Sequence, residues 1–191
     1  MKQLIENLNK INFNLDDFII VCIGTQRAYL DSVGPVVGTK LQELYPNAVI
    51  IGQLNDNCHA LSLESKLKII NKQYSNKKIL AIDACCTKNP DKIGTIEFKI
   101  GAISPGAGVG KNLPSVGDYC IKAYTVFKDM EYLLDDSILA FHSDNKMFYN
   151  YVNNAITDIV CGIDYVITNN HNQEKICIWY KDLSTSLRSV T

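Results

Sequence analysis

Residues 18–23 read FIIVCI and residues 79–84 read ILAIDA. Both runs are short, continuous and rich in β-branched side chains. A half-exposed strand alternates apolar and polar residues, whereas a strand covered on both faces has no such need. The two runs therefore predict the inner strands of a parallel sheet. Outward from them the spacing turns helical. Leu4, Ile5, Leu8, Ile11 and Leu15 predict a helix over 4–15. A helix over 36–44 starts behind Pro35, a residue tolerated in a first turn. Residues 48–51 read as a short strand, and 61–74 as a helix with Leu61, Leu67 and Ile70 apolar. Thr95 to Ile100 alternate, which suits an exposed or edge strand over 94–100. A strand over 119–127 and helices over 130–139 and 148–167 complete the reading. The order predicts an α/β fold, a three-layer α/β/α sandwich with a mainly parallel or mixed sheet.

The length of 191 residues suits one domain of roughly 100–200 residues. That domain is expected over 1–167. Residues 168–191 form a C-terminal extension that opens with the polar TNNHNQEK, and its ICIWY (176–180) suits either an added strand or a docked segment. Apolar residues make up 47% and charged residues 20%, which excludes a disordered chain. Nineteen basic and twenty acidic residues leave a net charge of −1, and this argues against a nucleic-acid or anionic-membrane binder. No apolar run approaches the roughly 18–20 residues of a membrane span. The first 17 residues mix charged and amide side chains with apolar ones, unlike a signal peptide. The seven cysteines are Cys22, Cys58, Cys85, Cys86, Cys120, Cys161 and Cys177. An odd number, several inside apolar runs, predicts reduced thiols in a cytoplasmic protein.

Ligands of open parallel sheets bind beyond the carboxyl ends of the strands. Two carboxylates fall there. Asp83 ends the ILAIDA strand, and Asp31 lies in the loop after FIIVCI, just before Val33-Gly34-Pro35. Paired carboxylates can share a proton, polarise a water and protonate a leaving amine. The same two residues also suit a turn and a helix cap. The loop over 101–117 carries Gly106, Gly108, Gly110 and Lys111. Glycines allow close backbone approach, successive N–H groups can form an anion nest, and the lysine could neutralise a phosphate or carboxylate. A rigid structural loop is the alternative. Asn112 follows Lys111, so this is no P-loop. Arg27 could hold a substrate carboxylate, pair with Asp31 or face solvent.

Cys58-His59 and Cys85-Cys86 lack the spacing of a closed zinc site. Cys85 as nucleophile with His59 as base is one arrangement. Packed cysteines, with His59 at the start of the Leu61 helix, is the plainer one. His142 and His171 lie in polar contexts, and Ser104 has no adjacent histidine.

Four segments in this order carry a resemblance: VCIGTQRAYLDSVGPVVGTKL (21–41), NCHALSLESKL (57–67), ILAIDACC (79–86) and GAISPGAGVGKNLPSVGDYCI (101–121). Together they resemble the YyaC-type sporulation proteins (the spore protease YyaC family), which are similar in turn to the germination protease of bacterial spores. The match spans about residues 17–167. It implies a phosphorylase/hydrolase-like fold, shared with hydrogenase maturation proteases. The germination protease is an atypical aspartic peptidase acting on small acid-soluble spore proteins. Asp31-Ser32-Val33-Gly34-Pro35 matches the Asp-x-x-Gly-Pro context of its first catalytic aspartate, and Asp83-Ala84 matches the second. Ser104 stands where that family has a histidine before its glycine loop. No histidine occurs between His59 and His142 to complete the nickel site of the maturation proteases.

The resemblance implies an aspartate-dependent peptidase of sporulation, with Asp31 and Asp83 catalytic. Arg27, Gly106, Gly108, Gly110 and Lys111 would bind substrate. No cofactor or metal is expected. The expected partner is a protein or peptide, with small acid-soluble spore proteins as the candidate substrate, in the cytoplasm of the sporulating cell or spore core. No direct nucleic-acid or membrane contact is expected, and a homo-oligomer is compatible with the sequence. Two alternatives stand beside this reading. One is a non-catalytic sporulation protein binding a protein or small ligand in the same crevice, and the other is a metal-dependent hydrolase or maturation protease.

Overall fold

The computed structural model describes residues 1–106, 113–127 and 146–170. Strands β1 (Phe18–Cys22), β2 (Ile50–Ile51), β3 (Lys78–Thr87), β4 (Ile96–Ile100) and β5 (Tyr119–Phe127) form one sheet in the order β2-β1-β3-β5-β4. The first four in that order run parallel, and β4 pairs antiparallel with β5 at the edge. The helices are α1 (Lys2–Lys10), α2 (Val33–Leu44), α3 (Leu63–Gln73) and α4 (Lys146–Asn170).

Every residue of β1 is buried, as the unbroken apolar run requires. Its alternate side chains serve two cores. Phe18, Ile20 and Cys22 pack with Leu4 and Leu8 of α1, Val37 and Leu41 of α2, and Ile159 and Ile163 of α4. Ile19 and Val21 pack on the other face with Leu63 and Ile70 of α3. The α/β/α sandwich is thus borne out, with three of the described helices on one face and one on the other. Burying a leucine or isoleucine in such a core contributes about 1.5–3 kcal/mol.

Several element ends differ from the expected ones. Helix α1 stops at Lys10 instead of Leu15 because Asn12 adopts a left-handed φ of 51°. The Phe13 N–H then bonds the Leu8 carbonyl at 3.0 Å and the Asn12 N–H bonds that of Asn9 at 3.0 Å. This pair of bonds closes a helix C-terminus, with asparagine in the place usually held by glycine. Helix α2 starts at Val33, so Pro35 sits inside its first turn rather than ahead of it. Strand β2 keeps only two residues, β3 runs on to Thr87, and α4 continues to Asn170. The helix expected over 130–139 and the segment 176–180 lie outside the described residues. Among the described residues, no helix is long and apolar enough to cross a membrane.

The β1–α2 connection explains Gly34. A Cβ there would lie 2.1 Å from the Ile23 carbonyl oxygen and 2.8 Å from its nitrogen, both rigid backbone. The glycine lets α2 begin against the end of β1. Gly34→Ala is expected to destabilise the protein by about 1–3 kcal/mol, the usual cost of overpacking. A urea titration should show a lower midpoint with an unchanged slope.

Candidate functional site

Past the carboxyl end of β1, against the carboxyl-terminal half of β3 and the middle of β5, lies a cavity of about 660 Å³. Its walls include Arg27, Asp31, His59, Asp83, Gly106 and Lys122. Of the candidate residues, the described ones (Arg27, Asp31, Asp83 and Gly106) all meet here. Gly108, Gly110 and Lys111 lie outside the described residues.

Asp31 is held by a loop that turns back on itself. Gly24 has a φ of 134°, and a Cβ on it would come within 2.1 Å of the Asp31 carbonyl oxygen. The next residue, Thr25, donates its N–H to Asp31 Oδ2 at 3.0 Å. Asp31 closes a short 3-10 turn over Tyr29–Asp31. That turn is tied down from two directions. Buried Thr125 of β5 donates its hydroxyl to the Leu30 carbonyl at 2.9 Å. Tyr29 stacks on Tyr149 of α4, with ring centroids 5.5 Å apart. Thr125 is available because β5 bulges. Cys85 pairs with Tyr124 and Cys86 with Val126, which leaves Thr125 unregistered between them.

Asp83 is set by the sheet itself. It sits in β3 opposite Lys122 of β5 and is 5% exposed. Burial pushes its carboxyl well above the ordinary value of 3.8, and the negative charge of Asp31 adds to the shift. A hydrogen bond from the Ala84 N–H and the charge of Lys122 oppose the shift without cancelling it. Asp83 is therefore a carboxyl that holds its proton to unusually high pH. Among the described residues, neither Arg27 nor Lys122 forms an ion pair with a carboxylate.

The Cys85 thiol is pushed far up, first by burial and then by the charge of Asp83, with Lys122 opposing. A thiolate nucleophile is thereby disfavoured. Cys58 is likewise raised to about 11, chiefly by burial. His59 lines the cavity, and its Nδ1 accepts the Leu61 N–H at 3.2 Å, just ahead of α3. Among the described residues, no three His, Cys, Asp or Glu side chains group to hold a metal ion. Ser104 lines the wall and shares a 3.1 Å hydroxyl contact with Ser115.

Lys122 and Tyr124 are the site residues that sequence reasoning missed. The signal was present: a lysine amid the apolar YCIKAYTVF run, two residues from a tyrosine, marks one face of a strand as polar. Tyr124 lines the cavity and gives its hydroxyl to Glu97 of β4.

The fold and crevice define an α/β sandwich protein with two acidic side chains, one of them buried, facing one cavity at the sheet's carboxyl edge. The chain belongs to the DUF1256 family, described as proteins of unknown function, whose family model matches residues 1–142. It is 38% identical over 118 residues to the uncharacterized protein YyaC of Bacillus subtilis (strain 168). That match covers 61% of this chain and 57% of the relative. The likeness to YyaC-type proteins is borne out.

The raised carboxyl of Asp83 has a stability consequence. The folded state holds this proton more tightly than the unfolded chain. Stability from it is fully present below the unfolded value and falls as pH rises toward the raised folded value. Asp83→Asn carries no charge to lose. The variant should gain on the wild type steadily as pH rises from about 4, and the gap should level off above the folded value. Urea denaturation at a series of pH values measures this, and a gap independent of pH would contradict it.

Proposed function

We propose that the chain is an aspartate-dependent peptidase of the germination-protease type, acting in sporulation on a small protein or peptide. The observation that carries this reading is the unequal pair of carboxyls in one cavity. Asp83 is buried and favours its protonated form, while the less buried Asp31 accepts the Thr25 N–H. An acid and a base with separated proton affinities are what amide hydrolysis by water needs. The Asp-x-x-Gly-Pro and Asp-Ala contexts of Asp31 and Asp83 support the same reading.

In the proposed reaction a water lies between the two side chains. Asp31 takes one of its protons as the oxygen attacks the scissile carbonyl carbon. The carbonyl becomes a tetrahedral oxyanion. Asp83 delivers its proton to the amide nitrogen, the C–N bond breaks, and a carboxylic acid and an amine leave. The wall at Gly106 supports the substrate backbone, and Arg27 positions the chain at the rim. Rate then requires Asp31 ionised and Asp83 protonated, so kcat/KM should be bell-shaped in pH.

The test is incubation with a small acid-soluble spore protein, followed by intact-mass analysis. Defined fragments are expected from the wild type, with or without chelator. Asp31→Asn and Asp83→Asn should each lower the rate by about 10²–10⁴-fold or more, the usual weight of a general acid or base. The double variant should be little worse than either single one, since the two act as a unit. Undiminished cleavage by Asp31→Asn would overturn the assignment. Absence of fragments from the wild type would favour a binding role for the crevice.

A further inference from the structure

Strand β4 lies at the sheet's edge, and among the described residues nothing pairs with its outer side. The Gly101 N–H bonds the Asp118 carbonyl at 2.7 Å, and the Tyr124 N–H bonds that of Thr95 at 2.9 Å. Antiparallel ladders alternate, so Thr95, Glu97, Lys99 and Gly101 direct their backbone groups inward to β5. Ile96, Phe98 and Ile100 accordingly direct their N–H and C=O groups outward. Ile100 is also 81% exposed, an unusual place for an isoleucine beside free backbone donors.

The chemistry of Ile96-Glu97-Phe98-Lys99-Ile100 reads the same from either end, with the charge inverted about Phe98. We propose that β4 pairs antiparallel with β4 of a second copy of this chain, with Phe98 opposite Phe98 on a two-fold axis. Ile96 then faces Ile100 of the second copy on both sides of the axis. Glu97 faces Lys99 of the second copy, twice. These charged pairs fall at the non-hydrogen-bonded positions, where the side chains approach most closely. A lysine on an edge strand ordinarily discourages pairing. Here the two-fold places a glutamate opposite it. Such self-complementarity is what a closed two-fold interface demands. The two described sheets join into one continuous sheet, and both free edges at β4 disappear.

The test is light scattering and sedimentation of the full chain over a concentration series. The wild type should reach twice its 21.4 kDa mass. Lys99→Glu sets like charges opposite each other at two places and should raise the dimer Kd by about tenfold or more. Glu97→Lys should do the same, and a mixture of the two variants should dimerise because every pair is again opposite in sign. Ile100→Pro removes only an outward N–H, so it should keep the wild-type circular dichroism and abolish dimers. This variant keeps the test decisive if Glu97→Lys, which loses the Tyr124 contact, unfolds. A wild type monomeric up to on the order of 100 μM overturns the inference and leaves the edge to a strand of another protein. Dimers that survive both Lys99→Glu and Ile100→Pro overturn it as well.

Discussion

The parallel pairing of β3 between β1 and β5 is the constraint on which the rest depends. Five registered residue pairs join β3 to β1 and eight join it to β5. Because side chains alternate along a strand, this register alone decides that Asp83, rather than Ile82 or Ala84, turns toward the α3 side of the sheet. A slip of one residue would reverse every face. It would put an apolar side chain into the cavity and a carboxyl into the core against Val37 and Leu41 of α2.

Holding a carboxyl in that position opposes stability. Asp83 is nearly out of water and faces another carboxylate, and Lys122 only partly offsets both effects. Hydrophobic packing on both sides of β3 carries the cost. Leu80, Ala81 and Ile82 are fully buried just upstream. Functional sites commonly store unfavourable electrostatics in this way, and an otherwise consistent fold tolerates one such exception. Lys122 lines the crevice, and its neighbour on the other side, Glu97, is engaged by Tyr124, Lys92 and Lys99.

Much of this was legible in the sequence. The unbroken apolar runs located β1 and β3, and the bounds of β5 were as expected. Asp31 was legible as a crevice residue because strand ends mark the binding edge of a parallel sheet; Asp83 also lines the crevice, although β3 runs four residues past it instead of ending there. Two kinds of feature were not. Element ends hid in local chemistry, as at Asn12, which ends α1 in a conformation usually left to glycine. Lys122, Tyr124 and the bulge at Thr125 depend on which strand lies beside which. That order reverses chain order between β4 and β5, and periodicity within one segment carries no information about it.

The turn that carries Asp31 is tied to Thr125, 95 residues beyond Leu30, and to Tyr149, 120 residues beyond Tyr29. Contacts so distant in sequence form late, since the loops they close are long and costly in entropy. A ribosome that has released β1, α2 and β3 has made both aspartates but neither tether. The crevice therefore matures only when α4 has emerged and docked. In time as well as in space, the last described helix completes what the first strand begins.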